Sequence, residues 1–382
     1  MAHRMIWNQT AYFGPGAINE IPGELAGRGF NKALVVTDKN LVNSGVISKV
    51  TSLLDAAGFP YEIFDDVVPN PTIEDVQHGV AKFKESGADV MIAVGGGSPQ
   101  DTCKAIGIII KNPEFSDVRS LEGVAATKRP AVPIIAVPTT AGTASETTIN
   151  YVITDVERKR KFVCVDVHDI PVLAIVDPNM MATAPRSLKV ATGLDALTHA
   201  IEGYITKGAW ELSDMFHLKA IQIIANSLAA AASGDDEAMD RMALGQYIAG
   251  MGYSNVGLGL VHAMAHPLGA FYQAPHGVAN GILLAPIMAF NAPNSGEKYR
   301  DIAEAFGVDT SHMNIEEARQ AAVDAVANLT RQLGNPVKIS DIGASEAEIG
   351  ALAQAAFDDV CAGGNPREAS VEQIADLYRS LL

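Results

Sequence analysis

Side chains able to bind a metal ion occur in two groups in the second half of the chain. Asp195 and His199 are four residues apart in a stretch of helical periodicity, so both lie on one face of the predicted helix. His262, His266 and His276 follow within a span of 15 residues. A carboxylate with two or three imidazoles suits Fe(II), Zn, Co or Mn, and the residue types do not choose among them. An isolated Asp–His pair at this spacing is more often an ordinary hydrogen bond.

The segment around the three histidines is free of charged residues. From Met242 to Gly296 it contains no Asp, Glu, Lys or Arg, but it keeps histidine, asparagine, glutamine and four prolines. This composition indicates buried protein around something polar. A central helix hairpin packed in the core is a compatible interpretation. Because buried imidazoles need partners for their nitrogens, one divalent metal would satisfy several of them.

A glycine-rich loop in the first half predicts a phosphate site. The apolar run Val90–Val94 is followed by GGGSPQD at 95–101. We expect a helix here with Ser98 as N-cap, Pro99 in its first position and Asp101 completing a capping box. The free amides and dipole of that helix N-terminus favour a pyrophosphate. The loop is neither a Gly-x-Gly-x-x-Gly fingerprint nor a P-loop, and a tight strand-to-helix turn explains it equally well.

Two further elements follow predicted strands. Asp38 ends the first of them, where an acid can bind ribose hydroxyls and repel a 2′-phosphate, which favours NAD over NADP. A surface turn or a helix cap is the other interpretation of Asp38. Residues 138–143, PTTAGT, supply several hydroxyl donors after another buried strand. Ligands of open α/β sheets bind beyond the carboxyl ends of the strands, where all three elements are expected.

The elements that must position these residues change in kind along the chain. Strands are predicted at 32–37, 61–64, 90–94, 133–137 and 172–176, and helices at 46–57, 72–86 and 99–110. This alternation predicts a mostly parallel sheet with right-handed crossovers. Residues 149–154 and 161–165 are expected to form a hairpin added to that sheet. From about Thr183 the periodicity is helical, so we predict an α/β NAD-binding domain over 1–182 and an all-helical metal-binding, catalytic domain over 183–382.

Composition restricts partners and compartment. The 382-residue chain has a net charge of −16, which disfavours nucleic acid because an acidic surface repels phosphate backbones. The N-terminus has no apolar stretch typical of a signal peptide. The chain also lacks a run of about 18 purely apolar residues, so no transmembrane helix is predicted. Cys103, Cys164 and Cys361 are odd in number and widely spaced, which favours a reducing compartment and argues against a Cys-rich zinc site. We therefore expect a cytoplasmic protein without nucleic-acid or membrane partners.

Taken together, the motifs resemble the iron-dependent (group III) alcohol dehydrogenase family. The matching runs are GGGSPQD, PTTAGTASE, TGLDALTHAIEGY and GLGLVHAMAHPLGAFYQAPHG, and the resemblance covers essentially the whole chain. It implies a Rossmann-like parallel-sheet domain, an all-helical domain of the dehydroquinate synthase-like type, and a cleft between them. It also implies NAD, Fe(II) with Zn(II) possible in its place, a homodimer built through the N-terminal strand region, and reversible hydride transfer between NADH and a small hydroxyaldehyde.

The resemblance also assigns individual residues. It implies Asp195, His199, His262 and His276 as metal ligands, and it leaves His266 beside the nicotinamide as the residue to relay a proton. The implied cofactor contacts are Asp38, Asn70, Gly96, Gly97, Ser98, Thr139, Thr140, Thr143 and Lys161. The implied substrate contacts are Thr148, Asn150, Tyr253, Leu258 and Cys361.

Departures and alternatives limit the substrate assignment. Tyr253 stands where the family has phenylalanine, which predicts an extra hydroxyl in the pocket, and Ala144 stands where many members have glycine. The alternative enzymes are a related metal-dependent dehydrogenase acting on glycerol, butanol or another small alcohol, and a metal-dependent lyase such as dehydroquinate synthase. A non-catalytic metal- or nucleotide-binding protein is a third alternative. A metallohydrolase would use the Asp/His set but would not need the glycine loop, Asp38 and Thr139-Thr140 together.

Overall fold

The computed structural model describes residues 2–158 and 160–382, which form two compact units. The first unit runs from the N-terminus to Thr140 and from Ala144 to Ala184, and the second contains Ala141–Thr143 and Pro185–Leu382. The division after Ala184 is two residues beyond the predicted domain boundary. The short loop Ala141–Thr143 belongs with the helices, because a Cβ on Gly142 would lie only 2.7 Å from Cβ of Thr192.

A six-stranded, wholly parallel sheet forms the centre of the first unit. Its strands are β1 (Thr10–Phe13), β2 (Ala33–Val36), β3 (Tyr61–Phe64), β4 (Val90–Gly95), β5 (Ile134–Pro138) and β8 (Leu173–Val176), in the order β1-β8-β5-β4-β2-β3. The helices of this unit are α1 (Ile21–Gly27), α2 (Lys39–Asn43), α3 (Ser48–Ala56), α4 (Ile73–Ser86), α5 (Gly97–Lys111) and α6 (Pro178–Met181). Every residue of β2, β4, β5 and β8 is buried, as expected for strands covered on both faces.

The sequence analysis did not identify β1. This strand pairs in parallel with β8, from Thr10 opposite Leu173 to Phe13 opposite Val176. It is four residues long and mostly half-buried, so it lacks the continuous apolar run by which the inner strands were recognised.

The predicted hairpin forms, but its expected addition to the main sheet is wrong. β6 (Asn150–Asp155) and β7 (Arg160–Val165) pair with each other as a separate antiparallel sheet. Their residues alternate between buried and half-exposed, so the hairpin has one apolar face instead of two. That face contributes Tyr151, Ile153 and Phe162 to the same apolar core as Ile106 of α5.

The start of α5 also differs from the prediction. The helix begins at Gly97 with Gly96 as N-cap, and no side chain caps it. Ser98 is therefore inside the first turn, and Asp101 does not complete a capping box. The Asp101 carboxylate instead accepts hydrogen bonds from the Ser145 hydroxyl at 2.8 Å and the Val152 amide at 3.0 Å.

The second unit is helical, as predicted. Its helices are α7 (Arg186–Ile205), α8 (Glu211–Ala232), α9 (Asp236–Val256), α10 (Leu260–Tyr272), α11 (His276–Asn291), α12 (Lys298–Ala305), α13 (Ile315–Leu333), α14 (Ile349–Phe357) and α15 (Val371–Arg379). By length and composition alone, α8 could cross a membrane, but half of its most apolar window is buried and it packs against α7 and α9. A core helix of a folded protein has the same properties.

Candidate metal and nucleotide sites

Three helices of the second unit bring the predicted metal ligands together. Asp195 and His199 lie on α7, His262 lies on α10, and His276 is the first residue of α11. The Nε2 atoms of His199, His262 and His276 are 3.9, 3.7 and 3.5 Å from Oδ1 of Asp195. Except for the half-buried His276, these side chains are buried.

The spacing of these atoms fits a shared cation better than direct hydrogen bonds. Ligand atoms about 2.1 Å from a tetrahedral metal ion are about 3.4 Å from one another, slightly less than the observed distances. Hydrogen bonds of this kind would be shorter than about 3.2 Å. Asp195, His262 and His276 each place one ligand atom within 4.8 Å of the others. His199 is the fourth and less tightly placed member.

The side-chain amide of Asn280 lies among three acceptor atoms of this cluster and has too few hydrogens for all of them. Its Nδ2 donates to Asp195 Oδ1 at 2.7 Å and lies 3.4 and 3.2 Å from Nε2 of His262 and His276. One NH2 group has two hydrogens for three surrounding atoms, and Oδ1 of the same amide is buried without a hydrogen-bond partner. A metal ion at this point would satisfy all three atoms at once, so the residues fit the group.

Glu202, which the sequence analysis did not identify, orients one of the imidazoles. Its Oε2 lies 2.6 Å from Nδ1 of His262, and its Oε1 accepts the Val261 amide at 2.6 Å. A hydrogen on Nδ1 leaves the Nε2 lone pair free to face Asp195. Burial lowers the pKa of His262, but the nearby carboxylates of Asp195 and Glu202 outweigh it and raise the pKa to about 9. The pocket therefore favours a positive charge.

His199 and Tyr253 form the wall beside this cluster. Their rings stack with centroids 4.2 Å apart. Burial lowers the pKa of His199 to about 4, so the imidazole is neutral, as a metal ligand must be. The Tyr253 hydroxyl donates to the carbonyl of Thr143 in the 141–143 loop. The hydroxyl predicted to enter the pocket thus has a partner in the backbone.

His266 is held by a carboxylate that the sequence analysis also missed. Its Nδ1 lies 2.8 Å from Oδ2 of Asp359, and its ring stacks on that of His276 with centroids 5.4 Å apart. Asp359 also accepts the amide of Cys361 at 2.8 Å, which places Cys361 in the same group.

Leu258, Thr148 and Asn150 are three further predicted substrate residues. The carbonyl of Leu258 lies 3.2 Å from the Thr206 hydroxyl, just before α10. The Thr148 hydroxyl is buried and bonded to Lys104 Nζ and the carbonyl of Asn150. Asn150 lies in the first unit, at the start of β6.

Most of the predicted nucleotide contacts meet at the carboxyl ends of neighbouring strands in the first unit. A Cβ on Gly96 would lie 3.1 Å from Oγ1 of Thr140, so only glycine allows this approach without displacing the threonine. The Thr139 amide donates to the carbonyl of Gly95 at 3.1 Å. Gly97 opens α5 beside this contact.

Asn70, Ser98 and Lys161 form a chain next to that loop. The backbone amide of Asn70 donates to Oγ of Ser98 at 3.3 Å. Its side-chain oxygen Oδ1 accepts a hydrogen bond from Lys161 Nζ at 2.7 Å. Asn70 has a φ of 59°, in the left-handed region that asparagine tolerates better than most residues. Burial lowers the pKa of Lys161 to about 8.

Asp38 follows β2 and caps α2. Its Oδ1 accepts the amides of Asn40 at 2.8 Å and Leu41 at 3.1 Å. The helix-cap interpretation is therefore observed. The cap uses one carboxylate oxygen, which leaves Oδ2 for a ligand.

Both halves of the chain match known family models. Residues 8–178 match the model described as iron-containing alcohol dehydrogenase, and residues 189–382 match that of the Fe-containing alcohol dehydrogenase family, C-terminal. The chain belongs to the iron-containing alcohol dehydrogenase family. The family and the fold class predicted from the sequence are thereby confirmed, and the protein is an NAD-linked alcohol dehydrogenase.

Individual relatives agree with this assignment. The chain is 62% identical over 380 residues to the lactaldehyde reductase of Escherichia coli, covering 100% of both chains. It superimposes on a crystal structure of 1,3-propanediol oxidoreductase with a TM-score of 0.97, 38% identity and full coverage of both chains. A sulfoacetaldehyde reductase from Bifidobacterium kashiwanohense, solved in complex with NAD+, gives a TM-score of 0.89 at 27% identity, covering 100% of this chain and 99% of that one.

Proposed function

We propose that the enzyme transfers hydride reversibly between NADH and a small hydroxyaldehyde, with lactaldehyde and propane-1,2-diol as the principal pair. The observation that carries this proposal is the full-length identity of 62% to a lactaldehyde reductase. The buried carboxylate and imidazoles supply a site of the right chemistry for a small oxygen-containing substrate.

We propose Asp195, His199, His262 and His276 as the ligands of one metal ion, Fe(II) with Zn(II) able to replace it. When bound, the ion supplies Lewis-acid chemistry to the substrate oxygen. The role of the protein is to hold three imidazoles and one carboxylate at the observed separations. Glu202 contributes by fixing the tautomer of His262, since its carboxylate accepts from Nδ1.

The nucleotide is proposed to bind at the amino end of α5, where free amides favour a pyrophosphate. Asp38 would bind a ribose hydroxyl through Oδ2. The other proposed contacts are Asn70, Gly96, Gly97, Ser98, Thr139, Thr140, Thr143 and Lys161. The cofactor supplies the hydride, and the protein orients it.

His266 is proposed to relay the proton that accompanies hydride transfer. Asp359 would keep its ring oriented, because the 2.8 Å contact fixes a hydrogen on Nδ1 and leaves Nε2 to exchange a proton. The proposed substrate contacts are Thr148, Asn150, Tyr253, Leu258 and Cys361. The hydrogen bonds of Thr148 and Tyr253 suggest that both shape the pocket through packing more than through their hydroxyls.

We also propose a homodimer built along β1 and a cytoplasmic location, with no nucleic-acid or membrane partner. β1 is at the end of the strand order, so one of its edges has no strand partner among the described residues. The three cysteines are free thiols, as a reducing compartment requires. The molar mass in solution, measured by light scattering, tests the dimer directly.

An assay of NADH oxidation tests the substrate. Metal-free protein is reloaded with Fe(II) or Zn(II) and mixed with NADH and one of four aldehydes: lactaldehyde, glycolaldehyde, 3-hydroxypropanal or butanal. We expect the highest kcat/KM with lactaldehyde and no activity without metal. A higher value with 3-hydroxypropanal or butanal would favour the second candidate, a dehydrogenase of another small alcohol. The similarity to a 1,3-propanediol oxidoreductase is the observation in favour of that alternative.

A further inference from the structure

Lys104 is a completely buried lysine on α5 that no part of the proposed chemistry uses. An ammonium group is rarely buried unless all its hydrogens are accepted. Its Nζ donates to the carbonyl of Thr148 at 2.8 Å, the hydroxyl of Thr148 at 2.9 Å and the carbonyl of Asn150 at 2.8 Å. Three donors therefore meet three acceptors within one short segment.

Asp101 lies one helical turn before Lys104 and binds the same segment at its two ends. Its Oδ1 accepts the Ser145 hydroxyl, and its Oδ2 accepts the Val152 amide. Asp101 and Lys104 together thus hold the 145–152 segment at four of its residues. The same helix begins at the glycine loop proposed to bind the nucleotide.

Three nearby carboxylates favour a positively charged side chain at position 104. Burial lowers the pKa of Lys104, whereas the nearby carboxylates of Asp169, Asp101 and Glu146 oppose that change. Asp169 is itself completely buried, and neither of its carboxylate oxygens has a hydrogen-bond partner among the described residues. Removing the positive charge would remove its attraction for these buried acids, so an apolar side chain cannot replace the cation at no cost.

Asn150 is the residue that this arrangement leaves available. Its carbonyl is bound by Lys104, but its half-buried side-chain amide forms no hydrogen bond within the described residues. We propose that Lys104 and Asp101 are positioning residues that hold the 145–152 segment on α5, so that Asn150 meets the substrate at a fixed place relative to the nucleotide loop. This inference rests on the proposed function, because it takes Asn150 as a substrate contact.

Such an arrangement would matter for hydride transfer. The reacting carbons must be held at a distance that changes little, and small displacements cost large factors in rate. One rigid helix that bears both the nucleotide loop and the substrate segment provides that constraint.

The test replaces Lys104 with methionine, which keeps the length of the side chain and removes its charge and donors. Lys111→Met is the matched control, because Lys111 is exposed at the end of the same helix. We expect Lys104→Met to raise KM for lactaldehyde at least tenfold and lower kcat, while KM for NADH and the metal content stay within twofold of wild type. The control should match wild type throughout.

A double-mutant cycle separates positioning from general destabilisation. If Lys104 acts through Asn150, the variant Lys104→Met/Asn150→Ala should be no worse than Asn150→Ala alone, whereas independent effects would multiply. Multiplied effects, or equal changes in both KM values, would overturn the proposal. Should Lys104→Met fail to fold, Asp101→Asn, which keeps the size of the side chain, is measured in the same way with the same expectation.

Hydrogen exchange makes the inference independent of the substrate assignment. Amides of residues 145–152 should exchange at least tenfold faster in Lys104→Met than in Lys111→Met, and unchanged exchange would refute the positioning role. A wild-type enzyme inactive with every hydroxyaldehyde would refute the proposed function instead, while the exchange result would still decide whether Lys104 holds the segment.

Discussion

Changing Glu202 to glutamine should weaken metal binding without altering any ligand. The carboxylate is 2% exposed and accepts three N–H groups, from Nδ1 of His262 at 2.6 Å, the amide of Val261 at 2.6 Å and the amide of His262 at 3.3 Å. Glutamine keeps the shape of the side chain but has one acceptor oxygen. If that oxygen stays with Val261, the NH2 group faces Nδ1 of His262 and favours the tautomer with hydrogen on Nε2.

The size of the effect follows from that change. Loss of an outer partner of a ligating histidine typically costs 10- to 100-fold in metal affinity. This corresponds to about 1.4–2.7 kcal/mol. Because the carboxylate is negative and buried near the cluster, its loss also removes an attraction for the cation, so we expect the upper half of this range.

Competition with a chromophoric chelator measures the effect. Metal-free wild type, Glu202→Gln and the exposed control Glu372→Gln are titrated with Zn(II), and circular dichroism confirms that each is folded. We expect the dissociation constant to rise about 30- to 100-fold for Glu202→Gln and to remain unchanged for the control. A folded Glu202→Gln with wild-type affinity would show that Glu202 does not orient His262 for a metal.

Three further predictions address the proton, the nucleotide and the backbone. His266→Ala should lower kcat by about 100-fold with partial recovery on addition of imidazole, and an unchanged rate would remove the relay role. KM for NADH should rise between pH 7 and pH 9, since Lys161 has a pKa of about 8 and loses its positive charge over this range. The variant Lys161→Met should have a high KM for NADH that does not rise with pH. The same pH dependence of KM in the variant and in wild type would contradict the assignment. Gly277→Ala should lower the free energy of unfolding by at least about 2 kcal/mol in urea titrations, because the new Cβ would lie 1.9 Å from the carbonyl oxygen of Ala191. The control Gly350→Ala, whose new Cβ meets nothing within 4 Å, should not lower it. Equal effects of the two substitutions would refute the steric argument.

The sequence predicted elements well wherever one local pattern determines them. Four inner strands were recognised from apolar runs, and α4 was recognised from its periodicity. The structure adds that Thr72 is its N-cap and forms a capping box with Asp75. The hairpin was recognised, but its packing against α5 was not. A strand with one apolar face can cover a helix as well as extend a sheet, so the pattern does not decide between the two. The Ser98 cap was wrong because glycines at 96 and 97 let α5 begin earlier, and Asp101 found buried partners in the hairpin.

The candidate site was only partly predictable for a similar reason. The histidines stand out by residue type in a charge-free segment, and the family motifs name the remaining candidates. Glu202, Asn280 and Lys104 depend on partners 60, 85 and 44 residues away in the sequence, so no local spacing marks them. One signal was available in part, since Asn280 lies four residues after His276 and therefore on the same face of α11.

The charge-free segment from Met242 to Gly296 affects how the newly synthesised chain avoids aggregation. Aggregation-prone apolar segments usually carry charges that keep neighbouring chains apart, and this one has none between its flanking residues Arg241 and Glu297. It has four prolines instead, two of them, Pro267 and Pro286, inside α10 and α11. Proline cannot join a growing β-aggregate, so these residues can protect the nascent chain where a lysine or glutamate would have disturbed the electrostatics of the histidine cluster.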